Sequence, residues 1–542
     1  MNHPEVSSYL AHLPPALWRE EQAGALGLGS MLRIFEKIAT GIDDDVPLPA
    51  LTDQIAGLHR IFDPWTTPPQ FLPWLASWVA LTFPTLQNEP VWDEYQRRKV
   101  TAGIAQVYRL RGRKAGLNRY LDLYAVGTTR PRICVDDGAR LFAVTPRPQA
   151  LATVEALGVQ PPLVGTGKIQ RNGITRPWCV TADSSGHLFV GDAGVPSIQV
   201  APAPDIPTPS SWWRLDPSGR YPLTGTPPLP APLNTGNLLT DIDPIAAVTV
   251  LETAYAITRS GRLLALPEPF TGTATVLTTL TNPTAPVWIV AMTLDPATGQ
   301  LLVLDRGGRH PQMARPSLIT VTPEPLTSTR TALPGLTEPL SLIARPDGTL
   351  LIGDGGPQEP DPGVPSQLTG NLFTVQRRTT PWTVTAQLPA DPATNPLVSP
   401  TGLAELDGQL YVLDAGLKPF EPSPSDPFVC PVAEHAAIYH YSEGTLTRIT
   451  EPGQFVFPTG LGVGQNRLLV ADPGRLAVNF QPYLARVLPS RFDVGVHFTA
   501  ARVPQDPVAR KHTLQQAVGA ISTIVNDQKP AHTMWSLTTS SE

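Results

Sequence analysis

His435 and His440 stand five apart, and Cys430 precedes them by five residues; imidazole with thiolate is zinc-ligand chemistry. A five-residue step is off the register that puts two side chains on one helical face, so a strand or loop is their natural home and no metal is assigned. Glu434 has no partner carboxyl whose environment would separate two pKa values into an acid and a base. Ile42-Asp43-Asp44-Asp45 offers carboxylates to a hard cation, but no glycine turn and no distal Glu complete a calcium loop. No phosphate-cradling glycine loop, Gly-x-Ser-x-Gly elbow or His-Glu-x-x-His occurs. Asp192, Asp305, Asp354, Asp414 and Asp472 recur at equivalent places in a repeat. A residue needed for one reaction would not be copied into five repeats, so their expected role is to accept backbone N–H bonds in the turn that follows. The expectation is a protein without catalytic residues or cofactor, not an enzyme.

Binding chemistry comes next. Arg97-Arg98-Lys99 with Arg109, Arg111, Arg113, Lys114 and Arg119 raises nucleic acid as a partner, yet Asp93, Glu94 and Asp122 sit among them as ion-pair partners. A net charge of −6 argues against a protein whose affinity rests on neutralising phosphates. A solvated face or a protein interface is the better reading of that run. Trp65 and Trp212-Trp213 are either core residues or exposed anchors for a partner, since aromatic residues and Arg dominate interface energetics.

The elements that would carry these residues fall into three regions. Asp63-Pro64 and Pro68-Pro69 fix the start of a helix, because a first turn tolerates the missing N–H of proline. Phe71, Trp74, Leu75 and Trp78 then make one apolar stripe. Val100, Ile104, Val107 and Leu110 make another, ended by Gly112, and Leu117, Tyr120, Leu121 and Tyr124 a third. Upstream, Met31, Ile34, Phe35 and Ile38 are spaced as a helix face. Arg132 to Val135 suits a strand.

From about residue 141 to 484 the sequence repeats itself. Phrases such as Thr298-Gly-Gln-Leu-Leu-Val-Leu-Asp305, Asp347-Gly-Thr-Leu-Leu-Ile-Gly-Asp354 and Asp407-Gly-Gln-Leu-Tyr-Val-Leu-Asp414 recur six times, Ser260 to Leu266 among them. Each is a tight turn followed by a strand apolar on both faces, and most follow a second apolar run, so the unit is a hairpin. Strands apolar on both faces must be covered on both, which stacking blades around an axis achieves. Six repeats imply six blades, and the pattern resembles the NHL-type propellers in architecture. Beyond it, Phe492, Val494, Val496 and Phe498 alternate as a strand with one buried face, Leu514 to Val525 keep helical spacing, and Trp535 with Leu537 suggests a last strand.

The flanking segments carry a resemblance. Phe62-Asp63-Pro64 with Phe71-Leu72-Pro73-Trp74-Leu75-Ala76-Ser77-Trp78, then Tyr108-Arg109-Leu110-Arg111-Gly112 with Gly116-Leu117 and Tyr120-Leu121, resemble the tail protein I-like family of contractile phage tails and related injection systems. Leu13 to Glu20 and Ile34-Phe35-Glu36 fit that family's opening, and Lys529-Pro530-Ala531-His532-Thr533 its closing motif. The match covers roughly residues 1–135 and 490–540. One departure is Arg113, where the family has a Thr to cap the next helix.

The resemblance implies a baseplate wedge component in a six-fold ring around the tube. Its partners would be a second wedge protein, other copies of itself and sheath or tube-proximal proteins. It would lie in the bacterial cytoplasm during assembly and then in the particle. The residues it marks as interface or fold-defining are Phe62, Asp63, Pro64, Phe71, Trp74, Trp78, Arg109, Gly112, Gly116, Tyr120, Lys529, Pro530 and His532. The expected fold class is a multidomain α+β chain: a helical wedge domain at 1–135, an inserted six-bladed propeller at 141–484, and a small α/β module at 485–542 that completes the wedge domain. The alternative is a propeller enzyme of lactonase or lyase type, whose metal-binding Glu, Asp, Asn or His around the axis cannot be assembled from these repeats.

Composition fits this division. At 542 residues, 41% hydrophobic and 16% charged, with 63 prolines and 43 glycines, the chain is globular, turn-rich and too long for one domain. Three scattered cysteines make no disulfide framework and suit a reducing compartment. The start lacks the basic and apolar regions of a signal peptide, and no apolar run is long enough to span a membrane.

Overall fold

The structure is a computed structural model that describes residues 7–16, 27–41, 50–83, 85–86, 89–125, 131–138, 141–157, 177–192, 197–201, 213–216, 219–222, 245–268, 274–282, 286–307, 315–356, 370–378, 381–389, 394–416, 435–474, 491–498 and 503–541. Leu17 to Glu20, Ile42 to Asp45, Trp212, Cys430 and Glu434 lie outside them. The chain divides into two compact units, Met1–Arg109 and Leu110–Glu542.

The first unit is helical. Helix α1 (Leu28–Thr40) ends at Gly41, which takes φ +66°, and Glu36 of α1 accepts hydrogen bonds from the Ser7 and Ser8 hydroxyls and the Ser8 N–H. Those bonds, the Ser7 hydroxyl first, hold the Glu36 carboxyl below its ordinary value. Short helices α2 (Leu51–Ala56) and α3 (Leu72–Ser77) follow, α3 being led in by a 3-10 turn at Pro69–Phe71. Helix α4 (Glu94–Tyr108) starts at a reciprocal cap: Asp93 Oδ1 accepts from the Gln96 N–H at 2.7 Å, and Gln96 Oε1 accepts from the Asp93 N–H at 3.1 Å. Val100, Ile104 and Val107 of α4 are fully buried. The stripe expected of α3 is not its buried face. Leu72, Leu75 and Ala76 turn inward, whereas Phe71, Trp74 and Trp78 stay exposed. The two stripes lie side by side on a six-residue helix, and the narrower aliphatic one packs against α4.

The second unit opens with α5 (Lys114–Tyr124), whose Leu117, Tyr120, Leu121 and Tyr124 are buried. It packs against α6 (Pro507–Gln528) and the strand Arg132–Asp136. That strand pairs antiparallel with Arg491–Phe498, which pairs in parallel with Met534–Ser541 across the α6 crossover. Ile133 faces Val496 and Val135 faces Val494, all buried.

Between these flanks the described residues form six antiparallel sheets. The first has five strands, Pro177–Ala182, Leu188–Asp192, Ser197–Ala201, Trp213–Asp216 and Gly219–Pro222. The next four have four strands each and begin at Ile245–Val250, Ile289–Leu294, Pro339–Ala344 and Pro400–Leu406. The sixth joins Gly460–Gly464 and Arg467–Ala471 to Leu141–Arg147 and Ala150–Ala156 from the other end of the repeat region. The first strand of each sheet touches that of the next, and the sixth touches the first, so the sheets close into a toroid. Facing sheets bury each other's apolar sides. Leu302, Leu304 and Leu318 of the third, for example, pack with Leu342, Leu350 and Ile352 of the fourth. The phrase at 260–266 departs from the others. It is the third strand of its sheet (Arg262–Pro267), and the second strand is Thr253–Thr258, so buried Thr258 stands where the other sheets carry Asp.

Candidate functional site

The repeated aspartates are deeply buried clamps. Asp414 accepts from the N–H groups of Val398 (2.6 Å), Ser399 (3.2 Å) and Gly416 (2.6 Å). Asp472 does the same for Val456, Phe457 and Gly474, Asp354 for Thr337, Glu338 and Gly356, and Asp305 for Trp288 and Gly307. The turn two residues on is bonded as the sequence suggests. The second set of bonds, to the segment leading into the same sheet's first strand, was not legible, because those residues lie 15–17 positions upstream. The side chain of Asp192 is not described. A carboxylate consumed by backbone amides is a structural acceptor, not a base.

Neighbouring sheets are tied by two chemistries. Ser341 Oγ donates to the Pro400 carbonyl at 2.7 Å, Thr401 Oγ1 to Pro458 at 3.0 Å and Thr459 Oγ1 to Trp178 at 2.8 Å. Across the first four sheets, cation–π contacts take over. Arg259 lies 5.1 Å from the Trp178 ring centre and 5.0 Å from that of Trp288, and Arg306 lies 5.4 Å from Trp288 while pairing with buried Glu338 at 2.6 Å. The half-buried tryptophans and the two arginines carried no repeat signature, so sequence reasoning missed them.

His435 and His440 have separate partners, and Cys430 lies outside the described residues. His440 Nε2 meets Gln409 Oε1 at 2.8 Å, and His435 Nε2 meets Asp122 Oδ1 at 3.1 Å. Among the described residues no group of three His, Cys, Asp or Glu is placed to hold a cation. The basic run is partly tied down. Arg98 pairs with Glu94 at 2.7 Å and donates to the Pro64 carbonyl, Arg97 lies over Phe83, Lys114 pairs with Asp137 at 2.9 Å, and Arg111 donates to the Asp527 carbonyl at 2.7 Å.

The residues marked as interface or fold-defining fall into two groups. In the first unit, Phe62, Phe71, Trp74 and Trp78 form a cluster of rings 5.0–6.4 Å apart, with Trp78 63% and Phe62 51% exposed. Asp63 shapes the turn beneath it, accepting from the Trp65 N–H and the Thr66 hydroxyl. Trp65 is itself exposed beside Tyr95, and Met31, Ile34, Phe35 and Ile38 form an exposed face of α1. In the second unit, Gly112 takes φ +79° with Pro530 close by, so the two segments flanking the repeat region meet there. A Cβ on Gly116 would fall 2.3 Å from the Leu110 carbonyl oxygen. Tyr120 is buried, Lys529 Nζ donates to the Thr533 carbonyl, and His532 is exposed; Arg109, the last residue of the first unit, is exposed at the end of α4.

Residues 30–131 match the phage tail protein (Tail_P2_I) family. That segment contains the exposed rings, most of α1 and Gly112, and the match supports a structural role in a phage tail. No curated protein matches the chain by sequence. Among solved structures, virginiamycin B lyase from Staphylococcus aureus is similar over 55% of this chain and 95% of its own, at 14% identity and a TM-score of 0.33. A Bacteroides caccae protein of unknown function is similar over 60% and 100%, at 11% and 0.35, and the Neurospora crassa Pan2 WD40 domain over 53% and 69%, at 6% and 0.30. Likenesses this distant carry no activity to this chain, and the toroid rests on its own strand pairing.

Proposed function

We propose that this chain is a baseplate wedge component of a phage tail or contractile injection particle. In this reading it assembles in a six-fold ring around the tube against a second wedge protein, and its six sheets act as the six blades of an NHL-like propeller that faces outward. The observation that carries the reading is the exposed apolar surface of the first unit, the Phe62–Trp74–Trp78 cluster and the α1 face, lying inside the segment that matches a phage tail family. A chain that leaves this much aromatic surface in water gains by burying it against other chains. A ring of such wedges, held in one of two packings and released when the tip or fibres engage, would trigger sheath contraction. The particle would be built in the bacterial cytoplasm.

The test is co-purification from the native host followed by imaging. This chain should travel with sheath and tube proteins and appear as a six-fold feature of the baseplate. A chain that purifies alone as a stable monomer, with no particle containing it, sinks the proposal. The reading includes no catalysis. A metal-dependent propeller enzyme would instead purify with stoichiometric calcium or zinc and turn over a lactone.

A further inference from the structure

A strand at the margin of a sheet presents a row of N–H and C=O groups to any passing chain, and folded proteins blunt such margins with short length, charge or proline. Among the described residues the toroid follows that rule. The outermost strands Gly219–Pro222, Thr275–Thr279, Thr383–Ala386 and Thr445–Arg448 have four or five residues each. The longer Thr327–Ala332 and Ala150–Ala156 carry Arg330 and Glu155. In the small sheet, Arg132–Asp136 forms one margin, with five residues and a charge at each end.

Met534–Ser541 breaks the rule. It forms the other margin of the small sheet, pairs with Arg491–Phe498 along all eight residues, and contains neither a charged residue nor a proline. Thr538 and Thr539 belong to opposite faces of the strand, yet both are exposed, and Met534 is 71% exposed. Trp535 and Leu537 share the face toward α6 and are only half-buried there, the Trp535 indole N–H donating to Asn526 Oδ1 at 2.9 Å. An unblunted margin pairs best with another unblunted margin, and among the described strands the match is the same strand of a second copy. Antiparallel self-pairing about a two-fold axis keeps both α6 helices on one face of the joined sheet. Centred on Leu537, it sets Leu537 against Leu537, Trp535 against Thr539 and Ser536 against Thr538. Aromatic with β-branched and hydroxyl with hydroxyl are favourable cross-strand pairs, and no like charges meet. We propose that two copies of this chain join through Met534–Ser541, antiparallel and centred on Leu537, into one continuous six-stranded sheet. The pairing goes beyond the wedge reading and does not rest on it. In a six-fold ring it would set the copies in pairs.

Oxidative crosslinking of the full-length protein tests the register, and sedimentation tests the dimer. Leu537→Cys brings two Cα atoms to about 5 Å across the axis, within disulfide reach, so mild oxidation should give a covalent dimer well above the wild-type background of the native cysteines. Thr539→Cys is the more exposed position, but it lies four residues out of register with its own copy and should stay at background. Thr538→Lys supplies the charge this margin lacks at an exposed site, and it should raise the dissociation constant of the dimer about ten-fold or more. Should Leu537→Cys not fold, that variant still decides. A dimer held by the exposed rings of the first unit would ignore Thr538→Lys, and such indifference would overturn the strand pairing. A wild-type chain that sediments as a monomer, crosslinking at 537 no stronger than in wild type, or equal crosslinking at 539 would overturn it too. Membership of a particle is read separately, by co-purification, and survives that failure.

Discussion

Asp414 is 2% exposed and holds three backbone N–H groups, two of them 15 and 16 residues upstream. Removing a buried acceptor leaves its donors unpaired at about 1–3 kcal/mol each before any relaxation. Asp414→Ala should therefore destabilise the toroid by roughly 3 kcal/mol or more, read as a lower denaturant midpoint. A loss under ~1 kcal/mol would show that the turn bonds alone matter. Asp295 ties the third sheet to the fourth through Arg377 at 2.8 Å. Burial pushes its carboxyl up, but Arg377, the Ala297 N–H and the Thr298 hydroxyl outweigh burial and hold it below its ordinary value. The folded carboxyl thus binds a proton less readily than the unfolded one. Its contribution is complete above about pH 4, the unfolded value, and fades as pH falls through the lower folded value. Asp295→Asn should lower stability at pH 7 and flatten the loss of stability as pH falls below about 4, measured by denaturant unfolding at each pH. An unchanged acid slope would refute the assignment. The repetition of Asp was visible in the sequence, while its upstream partners were not, since only the closed sheet places them.

Helix α5 shows what an element inherits from one residue at its start. Arg113 occupies the cap position with φ −111° and ψ 148°, the extended geometry a capping side chain needs, yet makes no cap hydrogen bond. Arg113→Ser puts a hydroxyl where the N2 and N3 N–H groups can donate, and Arg113 is exposed, so little else is lost. The gain should be ~1 kcal/mol, visible as slower hydrogen exchange at the first turn of α5. No change in exchange would mean the turn is already satisfied otherwise. The same helix helps fasten the flank to the toroid: its buried Asn118 donates to the Gly453 carbonyl at 2.8 Å, and Arg132, on the strand beside it, donates to the Val456 carbonyl at 2.6 Å. Gly453 takes φ +74°, and a Cβ there would fall 3.2 Å from Asn118 Cγ, so Gly453→Ala should loosen this junction. Hydrogen exchange of the α5 amides would report it, quickening if the junction opens and staying unchanged if it does not. Elements were legible where the pattern was strong. The helix stripes at 100–107 and 117–124 and the first two strands of most sheets show in the sequence, because burial on one or both faces forces an apolar pattern. Outer strands such as Thr327–Ala332 were missed because they are exposed and threonine-rich, with little burial to write a pattern. The second sheet was mis-registered because its apolar phrase belongs to the third strand.

At the scale of the whole molecule, the repeat region occupies the place of a hairpin turn. Strands Arg132–Asp136 and Arg491–Phe498 are antiparallel neighbours with Asp136 opposite Asp493, and the toroid leaves and returns between those two residues. Its own ends are equally close, since Leu141 pairs with Ala471. The sequence showed a region of different composition between two like flanks, but not how near its ends lie, because closure pairs strands more than 300 residues apart. Two facing residues of an antiparallel pair can be joined by a two-residue Asn-Gly turn. Replacing 137–492 with Asn-Gly should therefore preserve the small sheet and α6. The cost includes the parallel pairs Arg491–Met534 and Phe492–Trp535, the pairs Lys114–Asp137 and Asp122–His435, and the bonds of Asn118 and Arg132, which exchange toroid carbonyls for water. Helical circular dichroism with protected α6 amides is the expected result, and a chain that expresses only as aggregate would mean that the toroid completes the core of its host. Introduced into the particle, the same excision separates two roles for the toroid. Intact particles that no longer attach would assign it to contacting the target, whereas the absence of particles would assign it to the baseplate framework.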